Sequence, residues 1–321
     1  MRAVMLHSLS HPPALVETAQ PQPKPGEVLI QVAACGLNFA DLLMAQGKYQ
    51  ERADPPFVMG MEVAGQIAAI GSDVSGFRLG QRVAAFVGRG GLAEYVCCAA
   101  TRCVALPDSL SMPQAAGFLV AYGTSHLALR HRAGLQAGET LLVLGAAGGV
   151  GLTAVEIGHA LGARVIAVAR GAARLEIARK AGADACLDSE TPDFGAALKN
   201  MGGVDVVFDA VGEPLATPAL RALRPEGRFL TIGFAGGKVP QFPANILLVK
   251  NLTVLGLYWG GYLNFAPDAL IRSLREVLDW QVAGKIHPHI SHILPLEHFA
   301  DGFELLRSRK SSGKVVIQIA P

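Results

Sequence analysis

The chain has little charge of either sign. Its 321 residues include 28 Lys and Arg and 26 Asp and Glu, which leaves a formal net charge of only +2. Proteins that bind nucleic acid concentrate Lys and Arg against the phosphates, and the sequence has no such concentration. It therefore argues against a nucleic-acid partner and favours a small, neutral ligand.

Long hydrophobic runs are also missing. No apolar run approaches the ~20 residues that a membrane-spanning helix needs, and the N-terminus opens on a strand-like segment rather than on a signal peptide. The five cysteines have no even framework of spacings, which is typical of a reducing compartment. We expect a cytoplasmic protein with no membrane partner.

Glycine and apolar residues, by contrast, are abundant. At roughly 150 residues per domain, the length predicts about two domains. Up to about Pro107, short β-branched runs are broken by Gly and Pro, a pattern that predicts a β-rich domain. These runs are Glu27–Ala33, Val63–Ile70, Arg82–Val87 and Ala93–Cys98.

From about Ala121, strands alternate with helical stretches, which predicts a doubly wound parallel sheet and hence an α/β fold. The predicted strands are Leu141–Gly145, Arg164–Ala169, Asp184–Leu187, Val204–Asp209 and Gly227–Gly233. The predicted helices are Val150–Leu161, Ala172–Ala181, Phe194–Asn200 and Pro214–Leu223.

After Tyr262 the pattern changes again. It predicts a long helix, a strand, a short helix and a last strand, in that order, over Asp268–Ala283, Ile286–Leu294, Leu296–Arg307 and Lys314–Ile319. We expect this tail to rejoin the first domain. The predicted division is therefore one domain from residues 1–121 with 265–321, and another from residues 122–264.

A glycine-rich turn, Ala146–Gly151, follows a short apolar stretch and precedes a helical one. Glycines permit a tight turn and bring backbone N–H groups close to a pyrophosphate, whose charge lies at the positive end of the following helix. The context predicts a dinucleotide site. Backbone N–H groups of Gly148, Gly149 and Val150 are the candidates for binding the pyrophosphate, with Ala147 beside them.

Arg170 stands at the end of the next apolar run, where an NAD site usually has an acidic residue. Arg174 follows four residues later. Two guanidinium groups suit the 2′-phosphate of NADPH, because each can bind a phosphate through two hydrogen bonds. The alternative is that both arginines are ordinary solvated charges.

Further segments combine glycine, aromatic and acidic residues in a specific order. They are Cys35–Asp41, Gly47–Tyr49, Pro56–Gly65, Phe208–Gly212 and Gly313–Ile317. Together with the glycine turn, they resemble the zinc-independent quinone oxidoreductase branch of the medium-chain dehydrogenase/reductase superfamily, which includes zeta-crystallin-like proteins. The resemblance spans essentially the whole chain. It implies a GroES-like β domain, a Rossmann domain that binds NADPH, and a homodimer.

The resemblance also implies chemistry without zinc. The positions that match the zinc ligands of alcohol dehydrogenases are Asn38, Met61 and Ala116, and none of these supplies the thiolate, imidazole or carboxylate that zinc prefers. Without a Lewis acid to polarise a simple ketone, an intrinsically good hydride acceptor is expected. Quinones, enones and enals are such acceptors.

Hydride transfer to these acceptors leaves negative charge on an oxygen, which requires a donor and later a proton. The resemblance implies that Asn38 and Asp41 lie near the nicotinamide and Tyr49 near the substrate. Each has a structural alternative: Asn38 as a turn cap, Asp41 as a carboxylate at a helix start, and Tyr49 as a packed aromatic.

The remaining cofactor contacts implied by the resemblance lie at strand ends and in the tail. They are Thr124, Asp209, Val211, Gly233, Phe234, Ala235 and Lys314. Lys314 has the alternative of a solvated lysine beside a strand. The aromatic segment Tyr258–Tyr262 either lines the acceptor pocket or forms a dimer surface. The alternating histidines of His287–His292 have no adjacent acid or thiol, so an exposed strand is favoured over a metal site.

The sequence thus predicts a zinc-free NADPH:quinone oxidoreductase. The alternative enzymes are a 2-alkenal reductase and an enoyl-CoA reductase. The alternative of another class is a protein that binds NADPH without catalysis, in a structural or trafficking role.

Overall fold

The computed structural model describes residues 1–320, which form two compact units. The first comprises residues 1–120 and the segment that begins at Pro288, and the second comprises Ala121–His287. The helix predicted after Tyr262 belongs to the second unit, whereas the sequence pattern groups it with the tail. One contact that ties this helix to the second unit joins Ser273 Oγ and His126 Nδ1 at 2.8 Å.

The strands, in chain order, are β1 (Arg2–Leu6), β2 (Ala14–Glu17), β3 (Glu27–Leu37), β4 (Phe57–Val58), β5 (Glu62–Ile70), β6 (Arg82–Phe86), β7 (Tyr95–Ala99), β8 (Cys103–Ala105), β9 (Thr140–Leu144), β10 (Arg164–Ala169), β11 (Ala185–Asp188), β12 (Val204–Asp209), β13 (Leu223–Thr231), β14 (Thr253–Gly256), β15 (Ile290–Pro295) and β16 (Lys314–Gln318).

The α-helices are α1 (Phe39–Ala45), α2 (Met112–Ala116), α3 (Leu119–His126), α4 (Gly149–Ala160), α5 (Ala172–Lys180), α6 (Phe194–Asn200), α7 (Ala216–Ala222), α8 (Ala244–Lys250), α9 (Tyr262–Phe265), α10 (Pro267–Val282) and α11 (Phe299–Arg307). A π-helical segment, Leu127–Arg132, continues α3. No helix within residues 1–320 has both the length and the apolarity to cross a membrane.

The first unit is built on a seven-stranded sheet in the order β15-β16-β3-β5-β6-β8, with β7 also paired to β3. A smaller sheet has the order β2-β1-β4. β16 pairs antiparallel with β3, so that Val316 lies opposite Gly36. The tail strands therefore join the first unit. This pairing brings Lys314, at the start of β16, to the end of β3.

The second unit has a six-stranded parallel sheet in the order β11-β10-β9-β12-β13-β14. β9 is buried at all five residues, as expected for a strand covered by helices on both faces. Strand order reverses between β9 and β12, and ligands of doubly wound sheets bind at this reversal, beyond the carboxyl ends of the strands. The predicted α/β fold with a doubly wound parallel sheet is confirmed.

Candidate functional site

The glycine turn has the geometry of a phosphate-binding loop. Gly145 directly follows β9, with φ +75°, and α4 begins at Gly149 with Gly148 as its N-cap. A Cβ atom at Gly151 would lie 2.1 Å from the carbonyl oxygen of Gly145. Only a glycine fits there, and the resulting turn leaves the first N–H groups of α4 without helical acceptors. These N–H groups and the positive helix end fit a pyrophosphate.

The turns after β12 and β13 are joined to each other by backbone hydrogen bonds. Asp209 is fully buried, and its Oδ1 accepts N–H groups from Val211 and Gly212, both at 2.8 Å. The N–H of Ala235 donates to Ala210 at 3.1 Å, and that of Gly233 donates to Asp209 at 3.2 Å. Four predicted cofactor residues, Asp209, Val211, Gly233 and Ala235, therefore belong to one ordered pair of turns at the carboxyl edge of the sheet.

One carboxylate oxygen of Asp209, Oδ2, is buried and has no hydrogen-bond partner within residues 1–320. Burial raises the pKa of this carboxyl, and the N–H groups of Gly212 and Val211 oppose that rise. An acceptor atom with spare capacity beside the strand reversal suits a ligand hydroxyl. Phe234, also a predicted contact, lies half-buried in the next turn.

Arg170 follows β10 directly, and Arg174 lies in the first turn of α5. The guanidinium of Arg170 is exposed and pairs with Glu190, with Nε and Oε1 3.1 Å apart. Asp188 connects the two strand ends, since its carboxylate accepts N–H groups from Gly171 and Glu190, each at 2.9 Å. The acidic partner Glu190 was missed in the sequence because it comes from the end of a different strand.

Thr124 and the aromatic segment lie inside the second unit. Thr124, on α3, is buried. Trp259 is buried against Gly123, where an added Cβ would lie 2.6 Å from the indole nitrogen. Tyr262 is buried too and meets the ring of Phe265 at a centroid distance of 4.6 Å. Two residues of the segment Tyr258–Tyr262 are therefore core residues of this unit.

In the first unit, Asn38 and Asp41 form the start of α1. The backbone N–H of Asn38 donates to Asp41 Oδ2 at 2.8 Å, so the helix-start role of Asp41 is real. Asp41 is fully buried. Burial raises the pKa of its carboxyl to about 7, although the Asn38 N–H and the Lys314 ammonium act in the opposite direction. A carboxyl that titrates near neutral pH can serve as a proton donor or acceptor.

The amide side chain of Asn38 belongs to a buried cluster with Glu62 and Lys314. Its Nδ2 donates to Glu62 Oε1 at 2.9 Å, and its Oδ1 accepts from Lys314 Nζ at 2.7 Å. Lys314 is 5% exposed, so the alternative of a solvated lysine is wrong. Glu62 was missed in the sequence: it lies within the quoted segment Pro56–Gly65, but nothing local distinguishes it from a surface carboxylate at the start of a strand.

The positions matched to zinc ligands do not fit a zinc ion. Asn38 offers an amide, Met61 a buried thioether and Ala116 a methyl group, none of which is a preferred zinc ligand. Burial raises the pKa of the nearby Cys35 thiol well above its usual range, which disfavours the thiolate that binds metals. Tyr49 is half-buried beyond the end of α1, and both its roles stay predictions.

Another buried carboxyl, that of Glu156 on α4, was also missed in the sequence. It accepts a hydrogen bond from the Tyr122 hydroxyl and another from the His287 N–H at 2.8 Å. Burial raises its pKa to about 7, while these two hydrogen bonds lower it. Because Glu156 lies on the inner face of the helix after the glycine turn, it ties that helix to its own unit.

This raised pKa predicts a pH-dependent stability. The contribution of Glu156 is full below its unfolded pKa of 4.5 and is lost as the pH rises through about 7. The loss amounts to about 3 kcal/mol at 1.36 kcal/mol per pKa unit. In Glu156→Gln, urea unfolding at pH 4.5 and 8 should show a fall in stability smaller by about this amount. Asp41 titrates in the same window, so part of the fall remains.

The control is Glu176→Gln, which removes an exposed carboxylate that pairs with Arg179. It should leave the pH dependence of the wild type unchanged. If Glu156→Gln shows the full wild-type fall, the raised pKa of Glu156 is contradicted.

Two family profiles match the chain. The family profile described as "Alcohol dehydrogenase GroES-like domain" matches residues 24–108, and the one described as "Zinc-binding dehydrogenase" matches residues 149–280. A relative from Bos taurus named "Quinone oxidoreductase-like protein 2" is 39% identical over 99% of this chain and 92% of its own length.

Two further likenesses bear on function. The quinone oxidoreductase of Thermus thermophilus, solved also in complex with NADPH, is 34% identical with a TM-score of 0.88, covering 99% of this chain and 100% of that one. The human "Synaptic vesicle membrane protein VAT-1 homolog" is 31% identical over 94% of this chain and 81% of its own length. The fold, the glycine turn and these likenesses together show that the chain belongs to the quinone oxidoreductase-like branch of the medium-chain dehydrogenase/reductase superfamily.

Proposed function

We propose that the chain is an NADPH:quinone oxidoreductase that works without zinc and also accepts related conjugated carbonyls. The observation that carries the proposal is the glycine turn at the strand reversal, together with Arg170 directly after the next strand and Arg174 in the first turn of the helix that follows. The quinone oxidoreductase of Thermus thermophilus, which was also solved in complex with NADPH, supports the cofactor.

In this proposal the second unit holds the cofactor. The first N–H groups of α4, from Gly149 to Gly151, bind the pyrophosphate, and Arg170 and Arg174 bind the 2′-phosphate. Thr124 and the turns after β12 and β13 contact the nicotinamide half, as the resemblance implies. When bound, NADPH supplies a hydride, which is the chemistry this chain's residues then direct.

Asn38, Tyr49 and Asp41 are the polar groups that we propose for the acceptor. Asn38 and Tyr49 donate hydrogen bonds to the acceptor oxygen and stabilise the negative charge that develops there. Asp41, with a pKa of about 7, holds a proton close to the Asn38 backbone. Met61, Ala116 and the buried Cys35 thiol do not suit a zinc ion that could act as a Lewis acid. We therefore propose an acceptor that is conjugated and intrinsically reactive.

A second candidate function is NADPH binding without catalysis. The likeness to the human protein named for synaptic vesicle membranes favours it. The rival enzymes, 2-alkenal and enoyl-CoA reductases, differ from the proposal in the acceptor, in the size of its pocket and in the proton donor. We also propose a homodimer in the cytoplasm, which size-exclusion chromatography and fractionation of the source cells would test.

The deciding experiment is steady-state oxidation of NADPH and NADH by the purified protein with ortho- and para-quinones, 2-alkenals and a short enoyl-CoA. We expect turnover with NADPH and quinones, and elemental analysis of the same sample should find no stoichiometric zinc. Preference for an enal or thioester would move the protein to a rival enzyme class. NADPH binding without turnover would favour the non-catalytic role, and one zinc per chain would overturn the match of positions 38, 61 and 116.

A further inference from the structure

A buried ion pair in the first unit is fully satisfied by its own surroundings. Lys314 Nζ donates to the Leu37 carbonyl at 2.8 Å, to Asn38 Oδ1 at 2.7 Å and to Glu62 Oε1 at 2.8 Å. These three bonds use all three N–H groups of the ammonium. Glu62 is 1% exposed, and its other oxygen accepts the Val120 N–H at 3.0 Å. The ammonium has no further N–H for a direct contact with a cofactor.

Stability alone does not explain such a pair. Removing two charges from water costs several kcal/mol per ion, and well-packed apolar residues of similar volume are often as stable or more stable. The side chain of Lys314 is also tightly packed against Gly117. A Cβ added at Gly117 would lie 3.2 Å from the Cβ and Cγ atoms of Lys314. Since burying the Lys314 ammonium costs free energy, we infer that it has a role other than packing.

The pair acts on one side chain, the amide of Asn38. Lys314 donates to the amide oxygen, while Glu62 accepts from the amide nitrogen. A positive charge on the oxygen side of an amide polarises it and strengthens its N–H groups as donors. One N–H is held by Glu62 at 2.9 Å, whereas Nδ2 reaches the Gly36 carbonyl only at 3.4 Å. The second N–H is therefore the weakly committed one.

The Lys314 ammonium lies near the three positions that match the zinc ligands of alcohol dehydrogenases. Asn38 bonds to it, Met61 precedes its counter-ion Glu62, and Ala116 precedes the Gly117 that its stem packs against. A fixed positive charge thus lies among three residues that do not fit a metal. Unlike a metal, this charge has no open position for substrate, so it must act through Asn38.

We propose that Lys314 is a positioning residue, which fixes the Asn38 amide and uses its charge to strengthen the second, weakly bonded Asn38 N–H as a donor to the acceptor oxygen, while Glu62 stabilises the buried ammonium. This inference rests on the proposed function. It assigns Lys314 to the acceptor side of the reaction instead of to direct cofactor binding. It also predicts that the stability of the protein depends on the pairing of Lys314 with Glu62, whereas kcat depends on the positive charge of Lys314.

Three variants separate these effects: Glu62→Gln, Lys314→Met and the double variant. Glu62→Gln keeps the ammonium and an acceptor for it, so the Tm should fall while kcat stays within about 3-fold of the wild type. Lys314→Met leaves the Glu62 carboxylate buried without its partner, so both the Tm and kcat should fall. The double variant removes both charges, and its Tm should recover to near the wild-type value. Its kcat should remain about 10- to 100-fold low, since a donor to the developing charge is weakened.

The control is Lys310→Met, the same substitution at an exposed lysine, which should change neither quantity. NADPH affinity, measured by fluorescence titration, should stay within about 3-fold of the wild type in the double variant. A double variant with wild-type kcat overturns the proposal, as does a stable Glu62→Gln variant with a large loss of kcat. If the double variant does not fold, the kcat of Lys314→Met decides, and a wild-type value overturns the proposal. A wild-type protein without turnover would contradict both the proposed function and this role of Lys314. If the wild type is active, the variants test the role of Lys314 separately from the proposed function.

Discussion

Replacing Gly151 by alanine is expected to abolish NADPH binding, with an affinity lower by about 100-fold or more, because misplacing binding groups by about 1 Å has effects of this size. The added Cβ would lie 2.1 Å from the Gly145 oxygen and 2.7 Å from its carbonyl carbon. Both are backbone atoms, so no side-chain rotation relieves the collision. The turn must shift, and the N–H groups at the start of α4 shift with it. Fluorescence titration with NADPH and a thermal unfolding scan would measure both effects.

The matched control is Gly195→Ala on α6, in the same unit. A Cβ there meets only Pro218 Cβ at 3.6 Å, which is an ordinary contact. This variant should bind NADPH as the wild type does. If Gly151→Ala also binds NADPH like the control, the glycine turn is not the pyrophosphate site, and the proposed cofactor arrangement fails.

The double variant Arg170→Ala with Arg174→Ala is expected to change cofactor preference. Each charge-assisted bond to a phosphate contributes about 1.5–3 kcal/mol, so losing both arginines should weaken NADPH by about 100-fold or more. NADH lacks the 2′-phosphate, and its affinity should stay within about 3-fold. Dissociation constants for both cofactors would show the effect. Equal losses for NADPH and NADH would contradict the 2′-phosphate assignment.

Two companion variants sharpen this test. Arg179→Ala removes an exposed arginine that pairs with Glu176 on the same helix, and it should leave both affinities unchanged. Glu190→Gln removes the carboxylate that now pairs with Arg170 at 3.1 Å. Because exposed ion pairs contribute at most about 1 kcal/mol, NADPH should bind tighter by no more than about 5-fold. Weaker NADPH binding in Glu190→Gln would mean that Glu190 does not compete with the phosphate.

Features coded by neighbouring residues were predictable from the sequence. The strands β9, β10 and β12 and the helices α4 and α5 follow apolar periodicity and glycine signals within single windows, and the structure places them within two residues of the predicted bounds. The parallel order of the strands followed from their alternation with helices. The predicted strand after Ile286 begins only at Ile290, since Pro288 lies in that segment and proline donates no ladder hydrogen bond.

The polar cluster of the first unit was not predictable in the same way. Glu62 begins a strand and carries no local mark of burial, yet its partner Lys314 lies 252 residues away. Lys314 was singled out only through the resemblance. The pKa of about 7 at Asp41 likewise depends on burial by other segments, because desolvation is a property of the packed surroundings and not of the residue.

The sequence by itself therefore determined the fold class, the place of the glycine turn and the arginines behind it, since turns and helix starts depend on residues a few positions apart. Only the tertiary structure decided which charges are buried and what they pair with. Glu62, Lys314 and Asn38 meet through the pairing of β16 with β3 and of β3 with β5. The free energy of a buried charge is set by such long-range neighbours, so no local pattern can reveal it.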